Sequence, residues 1–160
     1  MSEPCLGGLG LLVDIDVQRY ARHITLPQVG LDGQRLLCQS SVLVIGAGGL
    51  GSPVLLYLAA AGIGHIGIVD DDTVDLSNLQ RQVIHSTSAV GQPKVESARN
   101  RLLELNPELK ISTFGIRLTP ERIESIFSEG WDVVIDGTDN LPTRYLIDDS
   151  CFLNNTPWVY

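Results

Sequence analysis

Apolar positions in this chain come in short solid runs instead of strict alternation. Val42-Leu43-Val44-Ile45, Ile66-Gly67-Ile68-Val69 and Val133-Val134-Ile135 stand between longer segments of helical spacing, and Gly, Pro and Asn punctuate the joints. Runs of this kind mark strands buried on both faces, and strands that alternate with helices build a predominantly parallel sheet. The pattern predicts strand 42–46, helix 49–61, strand 66–70, a helical turn over 77–84, helix 93–105, strand 111–116, helix 120–128, strand 131–136 and helix 141–153. Pro93 suits a first helical turn, Asn106-Pro107 ends that helix, and Thr119-Pro120-Glu121 opens the next.

The two ends read differently. Residues 1–15 are Gly-rich and non-periodic, which predicts a flexible leader, and Asp16 is placed to cap a helix through Gln18 and Arg22. A second short helix is expected over 32–38. After Asn154-Asn155-Thr156-Pro157, the residues Trp158-Val159-Tyr160 read as the opening of another buried strand. Residues 16–160 are therefore expected to form one domain truncated within its sheet, a piece of a longer protein.

The first strand runs into Gly46-Ala47-Gly48-Gly49-Leu50-Gly51, a G-x-G-x-x-G sequence between strand and helix. Small residues there let the backbone turn tightly and approach a phosphate, and the helix that follows offers unpaired N–H groups and the positive end of its dipole. The second strand ends in Asp70, about twenty positions past the last glycine, where a ribose-binding carboxylate belongs. Together these predict a Rossmann-like α/β fold with helices on both faces of the sheet.

Composition narrows the function. With 11 basic and 19 acidic residues, a formal charge of −8 argues against nucleic acid and anionic membranes as partners. A soluble cytoplasmic protein is the expectation. Val42 to Val69 contains no charged residue, yet seven glycines, Pro53 and His65 break it up, so it is not read as a membrane span. Cys5, Cys38 and Cys151 are widely spaced and form no C-x-x-C pair, and His23, His65 and His85 lack metal-ligand spacing. Reduced thiols are expected, and histidines that lie on the surface or are locally hydrogen-bonded instead of binding metal.

In a parallel sheet, ligands lie outside the carboxyl ends of the strands. The glycine loop, Asp70-Asp71-Asp72 and Asp136-Gly137-Thr138-Asp139-Asn140 should meet there. Asp139 is placed either to hold Mg²⁺, which takes one or two carboxylates with phosphate oxygens and water, or to cap the helix from 141, a role open also to Asn140. If Ser77-Asn78-Leu79-Gln80-Arg81-Gln82 is helical, Asn78, Arg81 and Gln82 share one polar face suited to a polyphosphate. Lys94, a cation against the positive end of a helix dipole, implies an anion nearby. The glycine loop alone fits NAD or FAD as well as ATP. The added cations and carboxylate favour phosphoryl or nucleotidyl transfer over hydride transfer.

These residues, with Arg19-Tyr20-x-Arg22-His23 and Val90-Gly91-x-Pro93-Lys94, closely resemble in order and spacing the ThiF/MoeB/HesA family, the E1-like enzymes that adenylate ubiquitin-like sulfur-carrier proteins. The likeness runs from about Val17 to Tyr160. It implies that MgATP reacts with the carboxylate of a carrier ending in Gly-Gly, giving an acyl-adenylate and pyrophosphate for molybdopterin, thiamine or thiolated-tRNA synthesis. By resemblance, Gly46, Gly48, Gly49 and Gly51 approach the phosphates, Asp70 holds the ribose with Asp72 beside it, and Asn78, Arg81 and Lys94 hold the phosphates. Ser77, Leu79, Gln80, Gln82 and Asn140 complete the nucleotide site, and Asp139 carries Mg²⁺. Arg22 would reach the site of a partner subunit, which implies a homodimer. The family's zinc-binding C-x-x-C pairs and later thioester cysteine have no counterpart in these residues and are expected only beyond them. An NAD-dependent oxidoreductase and a non-catalytic E1-like scaffold are the competing readings.

Overall fold

The computed structural model describes residues 9–160, with side chains from Val17 onward. Among the described residues six α-helices are formed, α1 (Leu9–Ile24), α2 (Gly30–Gln39), α3 (Gly51–Ala61), α4 (Lys94–Leu105), α5 (Pro120–Phe127) and α6 (Leu141–Leu153). The strands are β1 (Ser41–Ile45), β2 (His65–Val69), β3 (Lys110–Phe114), β4 (Val133–Asp136) and β5 (Trp158–Val159). All strand pairs are parallel and the sheet order is β3-β2-β1-β4-β5.

Because successive side chains of a strand face opposite ways, each apolar run feeds two cores. Val42, Val44, Ile66 and Ile68 pack with Leu55 and Ala59 of α3 and Ala98 and Leu102 of α4. Leu43, Ile45 and Val69 pack on the other face with Ile123, Ile126 and Phe127 of α5 and Ile147 and Cys151 of α6. Leu43, Val44, Leu55, Ile66, Ile68 and Leu102 are fully excluded from water. Each such side chain stabilises the fold by about 1.5–3 kcal/mol. The solid apolar runs thus reflect a sheet covered on both sides.

The chain runs outward from β1 to β2 to β3, then returns through α5 to place β4 on the other side of β1. The direction of winding reverses between β1 and β4, and a crevice for a ligand opens at the carboxyl ends of strands at such a reversal.

Several expected boundaries move. The helix expected from Asp16 starts at Leu9, with a break in helical geometry at Tyr20, so the leader reading fails for residues 9–15 and Asp16 is not a cap; the rest of the leader lies outside the described residues. Leu9, Leu12, Val13 and Val17 do carry helical spacing, which the neighbouring glycines obscured. No helix forms over 77–84: a single 3₁₀ turn, Leu76–Asn78, is followed by turns. Pro93 is the residue before α4 and Lys94 its first. No helix among the described residues is long and apolar enough to cross a membrane, and Val42–Val69 is strand, loop, helix and strand.

Candidate functional site

The glycine loop joins β1 to α3 at the winding reversal. Gly46 takes φ +99°, and a Cβ there would lie 2.8 Å from the Gly137 carbonyl oxygen, so this glycine lets the loop after β1 touch the loop after β4. A Cβ on Gly51 would overlap the Gly46 carbonyl outright, so the helix begins directly against the strand end. α3 has no side-chain cap and no acidic residue in its first turn. Ser52 N–H is taken by the Gly48 carbonyl and Pro53 has none, so the Gly51 N–H and the positive end of the dipole are left for an anion.

Two loops wall this helix end. Arg81 lays its aliphatic stem over Gly49, where a Cβ would lie 3.3 Å from Arg81 Cδ. Its guanidinium donates to Asn78 Oδ1 at 3.0 Å and to Gln80 Oε1 at 3.3 Å. Gln82 is buried behind the loop, with Nε2 3.6 Å from where a Gly48 Cβ would be. Asn78, Arg81 and Gln82 therefore do not share one exposed helical face. The turns put Arg81 in front of the glycines and Gln82 behind them. Ser77 is held by the Asp75 carboxylate, which its hydroxyl and N–H keep below the ordinary carboxylate range, and Gln80 Nε2 donates to the Ser77 carbonyl. These two residues and the half-buried Leu79 shape the turn.

Asp70 joins the parts. Its Oδ2 accepts from Ala47 N–H of the glycine loop at 2.8 Å and its Oδ1 from Asp72 N–H at 2.9 Å. The anion that Lys94 implied is present in the chain itself. Lys94 Nζ donates to Asp72 Oδ2 at 2.8 Å, with the lysine side chain 5% exposed and the aspartate 69%. Lys94 is thus a buried ammonium at the foot of α4, not a solvated surface charge.

The loop after β4 completes the wall. Asn140 caps α6 by accepting from Thr143 N–H at 3.1 Å, which leaves the neighbouring Asp139 exposed and without a partner among the described residues. No group of three His, Cys, Asp or Glu able to hold a metal occurs among the described residues. Asp136, 4% exposed, accepts through Oδ1 from Thr138 N–H at 2.8 Å and the Thr138 hydroxyl at 2.6 Å. Arg144 Nε lies 3.5 Å from Asp136 Oδ2, and its Nη2 donates to the Thr138 carbonyl at 3.0 Å.

Arg22 is not brought here. On the same helix, Tyr20 packs against Gly62 and accepts from Asn106 Nδ2, and Arg19 donates to the Leu105 carbonyl. Those partners precede β2 and β3, so Arg22 sits beyond the amino ends of the strands. β1 and β2 are each five residues long, so these α1 contacts lie about 15 Å from the glycine loop at the other end of the strands. Sequence reasoning also missed His85. Its Nε2 is 3.0 Å from the Ala47 carbonyl and its Nδ1 2.9 Å from Ser97 Oγ. Burial, more than the charge of Lys94, pushes its pKa below the ordinary histidine value. Its only sequence signal was its place at the end of the apolar pair Val83-Ile84. Cys38 and Cys151 are free thiols, and burial raises Cys151 to about 11, which keeps it protonated and inert.

A family model described as the ThiF family matches residues 20–160. This chain belongs to the ThiF family. It is 51% identical over 145 residues to a probable adenylyltransferase/sulfurtransferase, MoeZ, of Mycobacterium tuberculosis, covering 91% of this chain and 37% of that protein. It is 52% identical over 143 residues to the adenylyltransferase and sulfurtransferase MOCS3-1 of Zea mays, covering 89% and 30%. The chain thus spans about a third of the length of these curated relatives. Among solved structures, the E. coli tRNA N6-threonylcarbamoyladenosine dehydratase TcdA superposes with a TM-score of 0.86 at 30% identity, over 91% of this chain and 60% of that one. The same protein in complex with ATP gives 0.83 at 30% identity, over 89% and 58%.

Proposed function

We propose that this chain is the nucleotide-binding part of an ATP-dependent adenylyltransferase that activates a ubiquitin-like sulfur-carrier protein at a C-terminal Gly-Gly carboxylate. The observation that carries this reading is Arg81 laid across Gly49 at the uncapped start of α3, with Lys94 tied to the same loop through Asp72 and Asp70. Backbone donors, a helix dipole and cations then meet at one anion position. Hydride transfer would not use such a cluster, whereas displacement at a phosphate needs charge neutralised along the polyphosphate. The adenylyltransferase names of the relatives, and the ATP complex of TcdA, support the same choice.

In this reaction a carboxylate oxygen of the carrier attacks the α-phosphorus of ATP. The bond from that phosphorus to the bridging oxygen of the β-phosphate breaks, and pyrophosphate leaves with an acyl-adenylate remaining. Gly46, Gly48, Gly49 and Gly51 give the phosphates close access to backbone N–H groups. Asp70 takes the ribose hydroxyls through lone pairs that its two N–H partners leave free, and Asp72 keeps Lys94 in place. Asn78, Arg81 and Lys94 hold the phosphates, while Ser77, Leu79, Gln80, Gln82 and Asn140 fix the walls. Asp70, Asp72 and Asp139 outnumber these two cations, so a polyphosphate needs a metal to be held here. Asp139 is the residue that would bind Mg²⁺, which neutralises charge on the phosphates when bound. Arg22 lies too far from its own site to act there, and serves the site of a second copy in a homodimer. The protein works in the cytoplasm, with no nucleic-acid or membrane partner, and zinc belongs to segments outside these residues.

Calorimetric titration with ATP, with and without Mg²⁺, and with NAD tests the reading. ATP binding that needs Mg²⁺ and weakens at least tenfold in Arg81→Ala and Asp139→Ala is expected. NAD binding indifferent to both changes would overturn it in favour of an oxidoreductase, and a folded chain that binds neither would show that residues outside this chain are needed.

A further inference from the structure

Ala47, fully buried, is gripped from both sides. Its N–H donates to Asp70 Oδ2, and its carbonyl oxygen lies 3.0 Å from His85 Nε2. A carbonyl can only accept, so Nε2 carries the proton, and Nδ1 accepts from the Ser97 hydroxyl 2.9 Å away. The imidazole is 7% exposed and Ser97 6%, so this bridge from the glycine loop to α4 is largely shielded from water.

The bridge sets more than a distance. A trans peptide is planar, with its C=O and N–H pointing opposite ways. No cis peptide occurs among the described residues. With the Ala47 carbonyl turned to the buried imidazole, the N–H of the same peptide, that of Gly48, is turned away from the core. Gly48 is the middle glycine of the loop, and its N–H is not engaged by any backbone acceptor among the described residues.

We propose that His85 is a positioning residue for the phosphate site: by holding the Ala47 carbonyl, with Ser97 behind it, it aims the Gly48 N–H at a phosphate of the bound nucleotide. This rests on the nucleotide reading above. Rotation of that one peptide would replace an N–H by a carbonyl oxygen facing the phosphate, so the loop has reason to lock it. The lock lies outside the glycine signature, in a segment about 40 positions later in sequence.

The experiment compares His85→Phe, which keeps bulk and loses the donor, with His85→Gln, which keeps an N–H of similar reach, using ATP with Mg²⁺ and adenosine as probes. His85→Phe should weaken ATP by roughly tenfold or more, the cost of one hydrogen bond to a charged group, with adenosine affinity unchanged. His85→Gln should restore ATP to within about threefold of wild type, and Ser97→Ala should move in the direction of His85→Phe by less. Equal losses for ATP and adenosine, or no rescue by His85→Gln, would overturn the proposal. Should the wild type bind neither probe, the nucleotide reading fails by itself and the ¹⁵N–¹H resonance of Gly48 decides for His85. That resonance should shift in His85→Phe and Ser97→Ala and stay near wild type in His85→Gln; an unmoved resonance in both of the former would overturn the lock. If His85→Phe does not fold, the contrast of Ser97→Ala with His85→Gln carries the same decision.

Discussion

Replacing Gly51 and Gly48 by alanine, one at a time, tests at which of the two positions the loop needs glycine. A Cβ on Gly51 would overlap the Gly46 carbonyl oxygen and stand 2.8 Å from Gly46 C, and neither atom belongs to a flexible side chain. The start of α3 must then lift from the end of β1. Overpacking of this kind costs about 1–3 kcal/mol, or roughly 3–10 °C in melting temperature for a domain of this size. It also withdraws the helix end from the anion position, so nucleotide binding should fall with it. A Cβ on Gly48 would meet only Gln82 Nε2, at 3.6 Å, an ordinary contact, and Gly48 does not need positive φ. Gly48→Ala should therefore melt within about 1 kcal/mol of wild type, and any gain would come from a less flexible unfolded chain. That methyl group points to Gln82, behind the loop, so ATP binding should stay near wild type as well, in contrast to Gly51→Ala. Thermal melts by circular dichroism, paired with ATP titration, separate the two variants. Gly51→Ala melting like the wild type, or Gly48→Ala losing as much stability as Gly51→Ala, would refute the reasoning.

Asn140→Ala removes the bond to Thr143 N–H and should cost about 1 kcal/mol in denaturant unfolding, whereas Asp139→Ala should stay within about 0.5 kcal/mol and instead lose Mg²⁺-dependent ATP affinity. The reverse pattern would make Asp139 the structural residue. Asp72→Asn leaves the buried Lys94 ammonium without its carboxylate and should destabilise by roughly 1–3 kcal/mol, part of which the double change with Lys94→Met recovers; a double variant no better than Asp72→Asn alone would show that the pair is not what matters. Burial holds His85 and His65 below their ordinary pKa of 6.5, with Lys110 adding to the effect at His65, so the unfolded chain binds more protons there than the folded one. Their contribution is complete above about pH 6.5 and declines as pH falls from that value through the lower folded-state pKa. The lowered carboxyls of Asp75 and Glu121 matter only as pH falls from their ordinary values of 3.8 and 4.5. Unfolding free energy should thus drop between pH 7.5 and 5.5, and equal values at the two would contradict the histidine account.

Much of this molecule was legible along the chain. The solid runs at Val42–Ile45, Ile66–Val69 and Val133–Ile135 announce strands because a strand covered on both faces has no position free for a polar side chain. The glycine loop and Asp70 are equally local, set by backbone geometry over a few residues. Turns and pairings were not. The segment 77–84 has helical spacing but folds as turns, because Gln82 is drawn behind Gly48 while Arg81 stays in front of Gly49. Lys94 read as a cation seeking an anion, and only the return of the chain past Asp72 supplied one. Asn140 took the cap that sequence left open between it and Asp139. His85 became part of the loop's support through an acceptor 38 positions earlier in the chain. The sequence by itself determined the strands, the helices from α2 to α6 and where the phosphate loop lies, since these follow from short-range sterics and from side-chain periodicity. Tertiary structure alone decided the strand order, with its reversal between β1 and β4, and the partners of Lys94, Asp70 and His85. Those depend on which distant segments are folded against one another, and no local preference of the chain encodes that.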